Sequence, residues 1–133
     1  MIDTRSLSIK DVAYMLKRDT EWLTARAVER WVREHIRWDF HYYAMGLEAC
    51  WKERAGDCTD MAMLMQELLK LNSIHSHIVH GYGTWNIPGK DPERVKHDWL
   101  LATIHDITGA GREIQYDGVA ECQKYELVGD GYW

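Results

Sequence analysis

Three residues of this sequence carry the side chains that nucleophilic thiol chemistry needs: Cys58, His97 and Asp117. Cys58 stands at the predicted start of a helix, where exposed backbone N–H groups favour a thiolate, the reactive form of cysteine. Gly56, just before it, permits a tight entry from loop to helix and leaves room for a substrate. A lone cysteine beside an apolar helix is more often a small buried hydrophobic residue, so the chemical interpretation depends on the partners of Cys58.

His97 and Asp117 are the candidate base and orienting group for that thiol. His97 opens one predicted strand and Asp117 closes the next. If the hairpin between them has a wide or bulged turn near residues 109–111, the two positions come roughly opposite each other, and an imidazole can meet a carboxylate across the ladder. A thiolate needs a proton acceptor, and that base needs an orienting group. The order Cys, His, Asp at three structural junctions therefore predicts a catalytic triad.

A cluster of three histidines, His75, His77 and His80, offers a competing metal chemistry. On a strand, His75 and His77 share a face, and with a further Cys or His they could hold Zn²⁺ or another transition metal. His80 falls on the opposite face, however, and the sequence offers no second ligand pair. We therefore interpret the three as partly exposed strand residues, and we expect neither a metal nor a cofactor.

Composition narrows the class of protein. The 133 residues, 46% of them apolar, fit one folded domain over 1–133, with a helical extension over 1–22 and a catalytic core over 23–133. The 16 Lys and Arg against 21 Asp and Glu give a net charge of −5, which argues against a nucleic-acid partner. Three cysteines without a C-x-x-C pair favour a reducing compartment. Without a signal peptide or an apolar run of ~18–20 residues, we expect no membrane partner and a cytoplasmic protein, or one released by lysis if it is viral.

The first half of the chain is predicted to be helical. Ser8 with Asp11 resembles a capping box at the start of a short helix, and Thr20 is the expected N-cap of a second, longer helix. Residues 38–54 lose the helical period. They are predicted to form an irregular connection with one helical turn near residues 47–51.

The second half adds one more helix and then strands. The helix runs from about Cys58 to Leu71, and its apolar residues cover more than one face, which predicts a central, largely buried position. Asn72 is its expected left-handed terminator. Strands follow over 75–82, 97–105 and 112–117. Helices followed by strands predict an α+β fold, in which N-terminal helices and a central Cys-bearing helix pack on an antiparallel sheet.

Residues 83–96 contain both prolines of the chain and are predicted to form one long loop. A loop of more than about 12–15 residues in a compact domain is usually functional. Tyr82 and Trp85 at this loop, together with Trp99 beside the candidate base, are the predicted substrate-binding residues.

The same residues lie within motifs that resemble the transglutaminase-like superfamily of papain-like thiol enzymes. RAGDCTD at 54–60 matches the nucleophile signature G-x-C-x-D, and HDW at 97–99 matches H-a-W. Supporting segments are ARAVERWVREHIRWDF at 25–40, LLKLNSIHSHIVHGY at 68–82 and QYDG at 115–118. The resemblance covers about residues 24–118.

Two features depart from the family pattern, and a separate segment resembles one subgroup of the family. Asp98 stands where the family often has Ala, and Gly118 onward lacks the usual continuation with Pro and Thr. The segment from His41 to Gly46, followed by the nucleophile signature, is similar to a tyrosine-rich stretch in the pseudomurein endoisopeptidases of methanogen viruses.

The resemblance implies Cys58 as nucleophile, His97 as general base and acid, and Asp117 as the orienting acid. It implies a cysteine-dependent amide or isopeptide hydrolase that forms a thioester acyl-enzyme on a peptide, protein or cell-wall peptide substrate. A transglutaminase that passes the acyl group to an amine, and a catalytically silent binding module, are the alternatives.

Other residues near the motifs have supporting or no assigned roles. The backbone N–H of Cys58 is one expected oxyanion donor, with a side chain from 38–51 as the other. Asp60 is expected to stabilise the helix N-terminus or pair with a nearby base. Cys50 and Cys122 are expected to be bystanders.

Overall fold

The computed structural model describes residues 6–39 and 44–129, with four helices and six strands in that part of the chain. In chain order the elements are α1 (Ile9–Leu16), α2 (Glu21–His35), β1 (Arg37–Trp38), α3 (Leu47–Glu53), β2 (Ala55–Gly56), α4 (Cys58–Lys70), β3 (Ser76–Trp85), β4 (Glu93–His105), β5 (Gly111–Tyr116) and β6 (Cys122–Gly129). Among these residues, no helix has both the length and the apolar character that spanning a bilayer requires.

The first two helices begin at the predicted caps. The Ser8 hydroxyl accepts the Asp11 N–H at 3.1 Å, and the Asp11 carboxylate accepts the Ser8 N–H at 3.2 Å, which confirms the capping box. The Thr20 hydroxyl accepts the Leu23 N–H at 3.1 Å, which confirms the second cap. The single helical turn predicted near 47–51 is extended to the seven-residue helix α3.

The C-terminal end of α4 differs from the prediction by one residue. The left-handed conformation belongs to Ser73, at φ 61°, and not to Asn72. The Ile74 N–H then bonds to the Leu69 carbonyl at 2.9 Å, as in a Schellman motif. Asn72 remains next to the helix because its amide donates to the carbonyl oxygens of Leu68 and Ala13, both at 3.0 Å. Asn72 thus joins the end of α4 to α1.

Four antiparallel strands form the main sheet in the order β5-β4-β3-β6. The predicted loop over 83–96 is wrong in its extent, because β3 and β4 continue into it and pair up to Trp85 and Glu93. The connection that remains is residues 86–92, which keeps both prolines outside the ladder, where their missing N–H is tolerated. The ladder extends this far because residues such as Thr84 and Val95 favour strands.

Strand β6 was not predicted, and it lies on the edge of the sheet beside β3, opposite to β5. Its ladder with β3 shifts register between His80 and Gly81 and again between Tyr82 and Thr84. Such irregularities bend a strand and increase its twist. The Tyr125 hydroxyl on β6 reaches the carboxylate of Asp117, just after β5, at 2.7 Å. The sheet therefore curls until residues from its two outer strands meet.

Helix α4 packs between the sheet and the N-terminal helices, as predicted for the Cys-bearing helix. The buried core joins side chains from α1, α2, α4 and β4: Val12, Val28, Val32, Met61, Leu64, Leu68, Leu100 and Ala102. Burying these apolar surfaces is the main favourable contribution to folding. The result is an α+β fold in which a buried helix presents its first residue to the antiparallel sheet.

Candidate active site

Cys58 is the first residue of α4, and two carboxylates fix the turn before it. Asp57 caps the helix by accepting the Asp60 N–H at 3.0 Å. Asp60, fully buried, accepts the N–H groups of Asp57 at 3.1 Å, Met45 at 3.1 Å and Gly46 at 3.0 Å. A carboxylate at this end of a helix also stabilises the helix dipole. Asp60 therefore supports the nucleophile turn, as expected.

Gly56 is required at this turn by close approach. A Cβ at that position would lie 2.6 Å from the Cβ of Asp60. The G-x-C-x-D spacing is thus explained locally: the glycine lets the buried aspartate reach back over the start of the helix.

The candidate base and its orienting group meet in the protein interior. His97 and Asp117 are each 3% exposed, and 2.7 Å separates His97 Nε2 from Asp117 Oδ2. They are not direct cross-strand neighbours, because Gly81 is the ladder partner of His97 on β3 and Leu100 pairs with Tyr116. Continuing that register places Asp117 opposite residue 99, so the contact with His97 is diagonal. The two side chains meet across the strands as the sequence predicted, but their positions differ by two residues from a directly opposite pair.

Asp117 is held through both its side chain and its backbone. The Val119 N–H donates to Oδ1 at 2.9 Å, and the Tyr125 hydroxyl donates to Oδ2 at 2.7 Å. Helix α2 holds the backbone: Glu29 Oε2 accepts the Asp117 N–H at 2.9 Å, and Arg33 Nε donates to the Asp117 carbonyl at 2.8 Å. The carboxylate is consequently fixed in both position and orientation.

Sequence reasoning missed Tyr125, Glu29 and Arg33. Tyr125 lies beyond residue 118, where the motif resemblance ends, and the available signal was only an aromatic residue in the segment 122–129. Glu29 and Arg33 lie on the polar side of an amphipathic helix, where charged residues are normally exposed to solvent.

Opposing effects set the protonation of His97. Burial lowers the pKa of His97, but its hydrogen bonds with Asp117, Cys122 and Cys58 outweigh burial and raise that pKa to about 12. The raised pKa favours the imidazolium form of His97 at neutral pH.

A cavity of about 370 Å³ opens at Cys58 and His97. Trp85 on β3 and Trp38 on β1 line it, with their ring centroids 5.1 Å apart. Trp38 is brought there by the pairing of β1 with β2, in which it is the partner of Gly56. Of the three predicted substrate-binding residues, Trp85 is the one that the structure places on this cavity.

Tyr82 and Trp99 occupy other positions. Tyr82 is half-buried beneath the guanidinium of Arg94, which lies 3.6 Å from its ring centroid, and it is not among the residues that line the cavity. Trp99 is 1% exposed and donates its indole N–H to Gln115 at 2.8 Å. Its ring fills the space that a Cβ on Gly81 would need, 2.5 Å away. Trp99 is thus a core residue below the base and has no surface for a substrate in this structure.

Asp98, the departure from the family pattern, forms a second network next to the first. It accepts the Thr59 hydroxyl at 2.5 Å and pairs with His80 Nδ1 at 2.5 Å. These contacts tie the first turn of α4 to β3 and β4. Of the three histidines considered as metal ligands, His80 therefore has a carboxylate partner. The rings of the other two, His75 and His77, have their centroids 6.5 Å apart.

Cys122, expected to be a bystander, lies beside the base. One ligand atom each from His97, Asp117 and Cys122 fall within 4.8 Å of one another, and in the described residues this is the group with spacing suited to a metal, not the histidine cluster. A Cβ on Gly83 would lie 2.2 Å from Cys122 Sγ. Cys50 is buried elsewhere; burial and the nearby Asp60 and Asp57 raise its pKa to about 12.

A half-buried cysteine at a helix start thus lies near a buried histidine–aspartate pair at one antiparallel sheet. The family model of the transglutaminase-like superfamily matches residues 10–111, and the chain belongs to that superfamily. The matched region contains Cys58 and His97 and ends before Asp117.

Two solved structures share the fold. A candidate cysteine protease from Cytophaga hutchinsonii aligns over 92% of this chain and 41% of its own, with 18% identity and a TM-score of 0.69. A candidate protease from Parabacteroides distasonis aligns over 80% of this chain and 22% of its own, with 13% identity and a TM-score of 0.54. The chain therefore spans less than half of either protein. Among curated proteins, the sequence has no match.

Proposed function

We propose that this protein is a cysteine-dependent amide or isopeptide hydrolase with Cys58 as nucleophile, His97 as base and acid, and Asp117 as the orienting residue. One observation carries the proposal: a single buried imidazole interacts with Asp117 at 2.7 Å and with Cys58 at the mouth of a cavity. A protonated imidazole beside a cysteine favours the thiolate, and a buried carboxylate keeps that imidazole oriented.

The reaction would follow from this geometry. The Cys58 thiolate attacks the amide carbonyl carbon, and the backbone N–H groups at the start of α4 face the developing oxyanion. His97 gives its Nδ1 proton to the leaving amine, the C–N bond breaks, and a thioester remains. Water then attacks the thioester as His97 takes its proton, and the acid leaves while Cys58 regains its sulfur electron pair.

The apolar part of the cavity indicates where a peptide would lie. Trp38 and Trp85 offer aromatic walls beside the nucleophile, and Ile87 extends the apolar surface. We place the substrate side chain next to the scissile bond against these rings. The relationship to pseudomurein endoisopeptidases, and with it a cell-wall substrate, stays a prediction, because part of the segment that suggested it, residues 40–43, lies outside the described residues.

The test combines a trapping reagent with a matched variant. Purified protein is incubated with a pool of peptides that contain both α-peptide and ε-isopeptide bonds, with and without hydroxylamine, and the products are identified by mass spectrometry. A thioester is converted by hydroxylamine into a hydroxamate, so hydroxamates should form with the native chain and disappear with Cys58→Ala. Cys50→Ala is the matched control and should behave as the native chain does.

The same experiment separates the alternatives. Acid products without hydroxylamine indicate a hydrolase, whereas new amides formed when a primary amine is supplied indicate an acyltransferase. Binding of peptides without acid, amide or hydroxamate would contradict the proposal and favour a silent binding module.

A further inference from the structure

Cys122 is a buried thiol that the proposed reaction does not use, although it lies against the residues that perform it. Its side chain is 1% exposed, and its sulfur accepts a hydrogen bond from His97 that contributes to raising the pKa of that residue. The space for Sγ exists because Gly83, on the adjacent strand, has no Cβ. A nitrogen, a carboxylate oxygen and a sulfur therefore converge within 4.8 Å in one buried group.

We propose that His97, Asp117 and Cys122 form a binding site for Zn²⁺ or a similar transition-metal ion, and that the bound ion inactivates the enzyme. The inhibitory effect depends on the proposed function, whereas the metal site itself does not. Imidazole nitrogen, thiolate sulfur and carboxylate oxygen are the donors that zinc prefers.

The present geometry needs only small adjustments to accept an ion. Zinc–ligand bonds of about 2.0–2.3 Å in a tetrahedron separate the donor atoms by roughly 3.3–3.6 Å. The 2.7 Å between His97 Nε2 and Asp117 Oδ2 must open by about half an ångström for an ion to replace the proton between them. The other donor atoms already lie within 4.8 Å of one another, so they need to approach by at most about 1.5 Å.

The ligand charges suit a divalent ion in a buried site. Asp117 supplies a carboxylate, and cysteine binds a metal as the thiolate, so the Sγ proton of Cys122 leaves to solvent on binding. The ion also takes the place of the proton between His97 and Asp117, which leaves to solvent as well. Two anionic ligands then offset the charge of the ion in a region where uncompensated charge is costly.

The surrounding hydrogen bonds suit a ligating carboxylate. Metal-bound carboxylates are normally held by further hydrogen bonds that orient them. Tyr125 donates to Asp117 Oδ2 at 2.7 Å, and the Val119 N–H donates to Oδ1 at 2.9 Å. With the ion on Nε2, His97 can no longer be the imidazolium that supplies a proton to the leaving amine, so the reaction stops until a chelator removes the metal.

The test uses the full chain carrying Cys58→Ala, which removes the nucleophile as a competing metal ligand. Co²⁺ is the probe, because a thiolate bound to Co²⁺ gives an intense near-ultraviolet charge-transfer band. We expect that band in Cys58→Ala at a stoichiometry of one ion per chain. We expect it to disappear in the double variant Cys58→Ala/Cys122→Ser and to persist in the matched control Cys58→Ala/Cys50→Ser.

Two outcomes would overturn the site, and neither depends on catalysis. One is the absence of a thiolate–cobalt band from Cys58→Ala with Co²⁺ in excess over the protein, which would mean that His97, Asp117 and Cys122 do not hold the ion by themselves. The other is an unchanged band after Cys122→Ser. If the band behaves as expected but no peptide turnover is found in the native chain, the metal site stands and the proposed hydrolase fails.

A second measurement connects the site to activity. Zn²⁺ inhibition is titrated in the native chain and in Cys122→Ala, each relative to its own metal-free rate, with recovery by a chelator. We expect the inhibitory concentration to rise at least tenfold in the variant. Equal sensitivity of the two proteins would contradict an inhibitory role for Cys122.

Discussion

His97 interacts with both Asp117 and Cys58, and this single residue connects the nucleophile to the rest of the site. Its Nε2 lies 2.7 Å from Asp117 Oδ2. The rings of Trp99 and Tyr125 lie next to the imidazole at small interplanar angles, with both centroid separations from His97 at 6.1 Å. Rotation of the imidazole would break a buried ion pair and two aromatic contacts, so the ring is oriented before any substrate arrives.

Asp117→Asn should lower the pKa of His97 while a side chain of the same size still fills position 117. The amide fills the same volume but removes the carboxylate charge, so the pKa of His97 should fall, because burial alone lowers it. With less imidazolium beside Cys58, iodoacetamide should alkylate that thiol more slowly at neutral pH, and the rate of any identified turnover should fall by about two to four orders of magnitude. Equal alkylation rates in the native chain and the variant would contradict the orienting role of Asp117.

The raised pKa of His97 also makes the stability of the fold depend on pH. A group whose pKa is higher in the folded state binds its proton more tightly there, so its contribution is fully present below its unfolded value of 6.5. That contribution is lost as pH rises from 6.5 towards about 12. Urea denaturation of the native chain and of His97→Gln should show a difference in unfolding free energy that shrinks between about pH 6.5 and pH 10. A difference that stays constant over this range would show that His97 is neutral in the folded protein, because the ring would then carry no proton in either state.

Tyr125→Phe tests the residue that the sequence did not reveal. The substitution removes a hydroxyl that donates to Asp117 Oδ2 at 2.7 Å and leaves the ring in place. Loss of a hydrogen bond to a charged group costs about 1.5–3 kcal/mol, and a freer carboxylate should lower kcat about tenfold with little change in KM. Tyr14→Phe, on an 82% exposed ring in α1, is the matched control. A change in KM alone would place Tyr125 in substrate binding instead.

Local sequence signals predicted some residues of the site and not others. Cys58 and Asp117 stand at element ends that local signals mark, and G-x-C-x-D has a local explanation in Gly56 and Asp60. The prediction that His97 opens a strand is wrong, because β4 begins at Glu93 and His97 lies within it. Tyr125 and Cys122 reach the site only because the sheet curls, and no short-range pattern encodes that closure.

At the scale of elements, α2 is more than a cover for the core. Its apolar side includes the buried residues Val28, Trp31 and Val32, while Glu29 and Arg33 hold the backbone on both sides of the Asp117 peptide. One helix therefore closes the hydrophobic core and positions the segment that follows β5. A sequence pattern distinguishes the apolar face from the polar face of a helix, but it does not show which polar residues meet another segment.

Glu29→Ala should release that segment. The Asp117 N–H would lose its acceptor at 2.9 Å, and a buried donor without a partner costs about 1–3 kcal/mol. We expect a lower melting temperature and a slower alkylation of Cys58, because the Asp117 carboxylate would no longer be fixed. The control is Glu34→Ala on the same helix, whose side chain is exposed. Equal effects of the two substitutions would mean that Glu29 acts only through the helical charge pattern.

The lengths of β3 and β4 are a second feature that the sequence did not predict. The prolines predicted a long loop, yet only residues 86–92 lie outside the strands, because a ladder continues wherever its residues can pair. The consequence concerns function as well as topology. Pairing up to Trp85 and Glu93 makes part of the expected loop a strand, and Trp85 reaches the cavity from that strand.

For the whole molecule, the arrangement of the site depends on how tightly the sheet curls around the base. Gly81, on β3, pairs with His97 of β4 on one side and with Leu127 of β6 on the other, so it lies inside the sheet. A Cβ there would be 2.2 Å from the backbone carbonyl oxygen of Glu126 and 2.5 Å from the Trp99 ring. Neither neighbour is the free end of a flexible side chain, so one of them would have to move.

Gly81→Ala should therefore displace β6 from β3 and, with it, disturb the triad residues. Overpacking a tight interior costs about 1–3 kcal/mol, and displacing β6 would withdraw Tyr125 from Asp117. We expect a lower unfolding free energy and, in the folded fraction, slower alkylation of Cys58. In the control Gly111→Ala, the added Cβ would meet the exposed His105 side chain at 3.1 Å, and that side chain can turn away. Because the stability loss and the reactivity loss arise from one displaced strand, a Gly81→Ala protein with reduced stability but native alkylation kinetics would show that sheet closure and thiol activation are independent.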